Sequence, residues 1–111
     1  MARSLLENSP AAGALIYLAG PMTGLPDFNR PAFFAAEARL RDLGYSPINP
    51  ARNGLPLRAP WHHHMRRDLG MLLACAQVAL LPGWETSRGA RLEVSIADAL
   101  GMRVCGVADW G

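Results

Sequence analysis

A chain of 111 residues makes one domain, long enough to close a single core without disulfide or metal staples. Half of the residues are apolar and 18% are charged, as in a compact soluble enzyme, and a net charge of +2 is too small to argue for a nucleic-acid partner. No apolar run approaches the ~18 residues that span a bilayer, and Glu7 and Asn8 interrupt any apolar stretch after Arg3, so neither a membrane anchor nor a signal peptide is expected.

Residues 1–13 mix Ser, Asn, Pro, Ala and Gly without periodicity and read as a flexible arm ahead of one domain over 14–111. Residues 14–19 form an unbroken apolar run that stops at Gly20-Pro21, the pattern of a buried parallel strand. A Gly- and Pro-rich loop leads to a helix from about Pro31, with Asn29 as its cap, Phe33, Ala36, Leu40 and Leu43 as its inner stripe, and Gly44 as its stop. Residues 45–49 are a short strand closed by Pro50, and 51–60 a punctuated loop. A helix over 61–75, a strand over 78–81 ending at Pro82-Gly83, a helix over 88–100 stopped by Gly101 and a strand over 103–107 complete the chain. Strand and helix alternate throughout, which predicts an α/β fold: a flavodoxin- or Rossmann-like three-layer sandwich with a parallel sheet of four to five strands. In such sheets ligands bind beyond the carboxyl ends of the strands. That rule places the turn Gly20-Pro21-Met22 and the loop 82–87 at one rim.

Two acids break the amphipathic pattern. At 100° per residue, Arg88, Arg91, Ser95 and Asp98 gather on the wet side of the last helix, and Glu93 points the opposite way among Gly89, Ile96, Ala97 and Leu100. In the 61–75 helix, His63, Arg66, Arg67 and Gly70 face out and Asp68 lies among Trp61, Met65, Leu72 and Cys75. Carboxylates are rarely fully buried unless paired, and desolvating one costs several kcal/mol. A single inward acid is as often a core ion pair as a reactive group; two in one small chain point to an active site.

Ser87 is a natural N-cap, and Gly89 leaves the first turn bare, so backbone N–H groups including that of Ala90 are expected to face an anion; the alternative is a capped helix start with no ligand. Glu93 lies ~9 Å along the axis from Ser87 and leans back, bringing its carboxylate within ~5–6 Å of such an anion. That is the separation of a 5′-phosphate from the anomeric carbon of its sugar. No Gly-Lys-Ser/Thr follows the glycines, so this is not a Walker loop. His62, His63 and His64 diverge on a helix and lack zinc-site spacing, so no metal is expected. Phe28, Trp61 and Trp84 either stack on a base or simply pack. Tyr17, near the end of the first strand, is either a core tyrosine or a hydrogen-bond partner that steers Glu93. Cys75 and Cys105, each in apolar surroundings, read as buried free thiols in a reducing cytoplasm.

Three stretches together carry a family resemblance: Ile16-Tyr17-Leu18-Ala19-Gly20-Pro21-Met22-Thr23-Gly24, Arg67-Asp68-Leu69, and the run from Leu80 through Pro82-Gly83-Trp84-Glu85-Thr86-Ser87-Arg88-Gly89-Ala90 to Glu93. They resemble the nucleoside 2-deoxyribosyltransferase-like proteins, in particular a small bacterial and phage branch, and the likeness extends over about residues 14–107. The resemblance implies a flavodoxin-like sheet, a homodimer, and a superfamily chemistry shared with deoxynucleoside 5′-monophosphate N-glycosidases. By motif position it places the nucleophile on Glu93, the acid/base on Asp68 and the supporting tyrosine on Tyr17. Ser87 falls where the monophosphate hydrolases carry a phosphate-binding Ser and the transferases often carry Asp, which favours a nucleotide. Two departures from the family pattern are Ala76-Gln77, where relatives usually have an acid, and the end at Gly111, which implies a more open pocket.

The expectation is therefore cleavage or transfer at the N-glycosidic bond of a (deoxy)nucleoside or its 5′-monophosphate. Gly20, Pro21, Met22, Trp84, Ser87, Gly89 and Ala90 are expected to contact the substrate, with no cofactor, no nucleic acid and no membrane, in a cytoplasmic homodimer or higher homo-oligomer. Two rival functions are a nucleotide-sensing module of the same fold, which would not need Glu93 and Asp68 to converge, and a redox or flavin carrier, which lacks a Cys-x-x-Cys or a Ser/Thr-rich phosphate loop.

Overall fold

The computed structural model describes residues 14–110; the expected arm over 1–13 and the terminal Gly111 lie outside the described residues. In chain order the elements are β1 (Leu15–Ala19), α1 (Arg30–Asp42), β2 (Ser46–Ile48), α2 (Trp61–Leu73), β3 (Gln77–Leu80), α3 (Arg88–Ala99) and β4 (Arg103–Gly106), with single 3₁₀ turns at Pro26–Asn29, Pro50–Arg52, Trp84–Thr86 and Val107–Asp109. The four strands are all parallel, in the order β2-β1-β3-β4. Because the chain leaves β1 toward one edge and later returns to its other side, the order reverses between β1 and β3. That is where this class of sheet opens a crevice.

The strand pleat sorts the core into two layers. Ile16 and Leu18 face α1 and meet Phe33, Ala36 and Leu40. Tyr17 and Ala19 point to the other face, against Leu72 of α2, Cys75 just after it and Ala97 of α3. Trp110 seals the α1 layer: it is buried edge-on against Tyr45, its Nε1 donates to Cys105 O at 3.2 Å, and Arg39 donates to its carbonyl. Gly20 is required at the end of β1, since a Cβ there would sit 2.7 Å from that of Leu81. Among the described residues no helix is long and apolar enough to cross a membrane.

Three local expectations are corrected. Leu43, expected in the inner stripe, is 40% exposed just beyond the end of α1, and Glu37, at the other margin of that stripe, is buried. The buried arc of α1 is therefore rotated from the expected one, because Glu37 is drawn inward by Arg52, Arg41 and Asn49. Leu100, expected beside Glu93, is 58% exposed where α3 ends. Asn29 stands at the N-cap position of α1 but does not cap it; its Nδ2 donates to Pro21 O at 2.9 Å and ties the β1 turn to the helix start. Of the two thiols, Cys75 is buried and pushed up to about 11 by that burial, and Cys105 is half-buried.

Candidate active site

The Glu93 carboxylate rests on the β1 tyrosine. Tyr17 is wholly buried at the sheet, two residues from the strand end, and its hydroxyl donates to Glu93 Oε2 at 2.5 Å. Among the described residues no cation pairs with Glu93, and burial drives its pKa from the ordinary carboxylate range up to about 8. The Tyr17 hydrogen bond opposes this rise and the charge of Asp68 adds to it. The Tyr17 phenol is itself pushed well above its ordinary value, by burial and then by Glu93 and Asp68, so it stays a donor.

Asp68 comes from the neighbouring helix, one turn beyond His64. It too is buried, and burial raises its pKa, opposed by a hydrogen bond from Asn53 and by His64 and Arg67. Asn53 Nδ2 donates to Asp68 Oδ1 at 2.8 Å and lies 3.0 Å from His64 Nδ1. His64 Nε2 lies 3.1 Å from Pro56 O; a carbonyl only accepts, so the network assigns the proton to Nε2 and leaves Nδ1 to accept from Asn53.

Both acids line one cavity of about 200 Å³ beside the carboxyl ends of β1 and β2. Gly20 and Met22 form the β1 side, Ser87, Gly89 and Ala90 the start of α3, and Asn53, Leu55 and Leu57 the loop after β2. Phe28 and Trp61 bring aromatic faces to the same space. Trp61 is also covered by the Arg88 guanidinium, 3.9 Å from the ring centre. A pocket of this kind, apolar with a few convergent polar groups, is what a small organic ligand requires.

Two of the expected contact residues are placed elsewhere. Trp84 is half-buried in its 3₁₀ turn and lines neither this cavity nor the hollow beside it. Pro21 lines that neighbouring hollow, which shares Thr23, Trp61, Ser87 and Gly89 with the main cavity. Ser87 caps α3, accepting at Oγ from Ala90 N at 3.1 Å, so the Ala90 N–H is already engaged. Among the described residues no group of three His, Cys, Asp or Glu side chains comes together as a metal site.

Helix periodicity puts His64, alone of the three histidines, on the face of Asp68, but it says nothing of Asn53, which lies in a loop. The signal available was the Asn53-Gly54 dipeptide, a turn sequence whose side chain bonds locally: Asn53 Oδ1 accepts from Leu55 N at 3.0 Å.

Residues 14–106 match the family described as a domain of unknown function, DUF4406. The chain belongs to this family. No curated protein matches it. Among solved structures, a 2-deoxyribosyltransferase from the psychrotolerant bacterium Bacillus psychrosaccharolyticus is similar over 82% of this chain and 69% of that one, at 24% identity and a TM-score of 0.64. That likeness gives this DUF4406 chain the same α/β fold with its parallel four-stranded sheet.

Proposed function

We propose that this protein breaks, or transfers across, the N-glycosidic bond of a (deoxy)nucleoside or its 5′-monophosphate. The observation that carries the reading is the convergence of two buried carboxylates, Glu93 and Asp68, from separate helices on one cavity, with the Tyr17 hydroxyl on the first. The fold shared with a solved 2-deoxyribosyltransferase supports it.

In this reading Glu93, as carboxylate, attacks the anomeric carbon while Asp68 gives its proton to the departing base, leaving a glycosyl ester on Glu93. Asp68, now ionised, takes a proton from water or from an incoming base, which attacks the anomeric carbon and frees Glu93. The chemistry needs one proton shared by the two acids. Glu93 holds the more strongly raised position, near 8, so above that pH both are ionised and no acid remains. Base release is therefore expected to fall as pH rises through about 8. Tyr17 holds Glu93 in line and stabilises its ionised form. Phe28 and Trp61 supply faces on which a base can stack. Ser87 and Gly89 sit where a 5′-phosphate would approach the start of α3.

The test is incubation with a panel of deoxynucleosides and their 5′-monophosphates, with and without a second free base, followed by chromatography of the bases. Free base or exchanged nucleoside is the expected product. Binding with no product from any member would leave a nucleotide-sensing module and overturn the enzymatic reading.

A further inference from the structure

The loop after β2 is held more tightly than its punctuated sequence suggests, and several of its ties meet at one residue, Asn53. Arg52 forms a two-pronged contact with Glu37, Nε to Oε1 at 2.9 Å and Nη2 to Oε2 at 2.8 Å, which pins the residue immediately before Asn53 to α1. The Asn53 N–H donates to Pro50 O at 3.1 Å, its carbonyl accepts from Arg67 Nη1 at 2.8 Å, and its Oδ1 accepts from Leu55 N at 3.0 Å. With backbone and side-chain oxygen both committed, the Nδ2 hydrogens have one direction left, toward Asp68 and His64.

The rest of the Asp68 surroundings sharpens the point. His64 and Arg67 face it from its own helix, Glu93 from α3 and Tyr17 from β1. Arg67 is spent on the Asn53 carbonyl and His64 Nδ1 faces the Asn53 amide rather than the carboxylate, so Asn53 supplies the direct donor to Asp68. A flipped amide would turn Oδ1 onto Asp68 Oδ1 and leave two donors, Nδ2 and Leu55 N, face to face. The flipped arrangement is excluded by its own contacts.

We propose that Asn53 is the positioning residue of this site: clamped by the loop, it presents one amide hydrogen to Asp68 and the other to His64, and so fixes the Asp68 carboxylate as an acceptor aimed into the cavity, ready to recover the proton it gives to a leaving base. The consequence for turnover rests on the glycosidic reading above; the consequence for Asp68 itself does not. Asn53 acts through Asp68, so its loss should leave substrate affinity nearly intact and change the protonation of the carboxyl.

The variant Asn53→Asp keeps the acceptor for Leu55 N, and with it the loop, and replaces only the donor by a second carboxylate. Asn53→Ala serves as the uncharged companion. Carbon-detected NMR titration of the Asp68 carboxyl, assigned with Asp68→Asn, reads the effect without any substrate. The expected result is a midpoint shifted upward by about one pH unit in Asn53→Ala and by more in Asn53→Asp. The low-pH limb of base release should move up by the same amount, with kcat reduced about tenfold or more and KM changed less than about threefold. An unmoved Asp68 midpoint in both folded variants would overturn the role of Asn53, whatever the activity. A moved midpoint in a protein that releases no base would uphold Asn53 and sink the glycosidic reading.

Discussion

Two buried glutamates on opposite faces of the sheet meet opposite fates. Glu37 on α1 is surrounded by donors: both prongs of Arg52, Arg41 Nη1 at 3.1 Å and Asn49 Nδ2 at 3.0 Å. The Arg52 hydrogen bond, opposed by burial and joined by Asn49, holds its pKa down to about 2. Glu93 on α3 is as little exposed, has Tyr17 as its donor and, among the described residues, no cation, and is driven up to about 8. Residue type and solvent exposure are alike, but Glu37 lies just beneath two half-exposed arginines and Glu93 lies deeper, so depth and partners together set the difference. Glu37 is a completed ionic cluster that fastens the β2 loop to α1. Glu93 is left short of compensation beside a cavity, the arrangement expected where a carboxylate is kept for chemistry rather than for folding.

Neutralising each glutamate in turn should separate the two roles. Glu93→Gln keeps shape and the Tyr17 contact but cannot attack, so base release should fall about 10³-fold or more while the nucleotide still binds. Retained turnover, measured on the same substrate panel, would remove Glu93 from the reaction. The next effect is on stability. Glu37→Gln strands Arg52 and Arg41, but both are more than half exposed and return to water, so the loss should be roughly 1–3 kcal/mol rather than the 3–5 of a fully buried pair. Its sign with pH follows from the depressed pKa: the contribution is complete above the ordinary carboxylate value and disappears as pH falls through about 2. Urea unfolding at neutral and at acidic pH checks both parts. A Glu37→Gln protein as stable as the parent at neutral pH would mean that the cluster is ornamental.

Smaller still is the effect of Ser87→Ala. Loss of the cap to Ala90 N should cost about 1 kcal/mol. If a 5′-phosphate docks at the start of α3, the same variant should also lose preference for monophosphates over nucleosides. An unchanged preference, read from kcat/KM on matched pairs, would confine Ser87 to capping.

The sequence shows which helix faces turn inward more clearly than what meets them there. Helical arithmetic alone puts Glu93 and Asp68 on buried faces, because α2 and α3 are regular and clearly two-sided. On α1 the apolar stripe of Phe33, Ala36, Leu40 and Leu43 leaves Glu37 at one margin and Leu43 at the other, and hydropathy favours Leu43. What decides between them is Arg52 and Asn49, which arrive from a loop and a strand end that no periodicity describes. Asn53 escaped for the same reason. Its Asn-Gly pairing marks a turn, but the direction of an amide within a turn depends on neighbours such as Arg67 and His64, 14 and 11 residues away. Trp84, beside a Pro-Gly turn, is half-buried in its 3₁₀ segment and lines neither hollow, a placement that its residue type alone does not decide.

The contrast between the two glutamates is tested most directly by melting temperature against pH for the parent and Glu93→Gln. A raised folded pKa means that the Glu93 contribution to stability is intact below the ordinary carboxylate value and is lost as pH rises through about 8. Holding Glu93 ionised above that point costs folding free energy on the order of several kcal/mol. The two melting curves should coincide near about pH 4 and separate at higher pH, with Glu93→Gln the more stable by on the order of 15 °C near pH 9. A Glu93→Gln protein that melts below the parent at that pH would show that Glu93, like Glu37, is held by partners that favour its charge, and would exclude a raised Glu93 pKa.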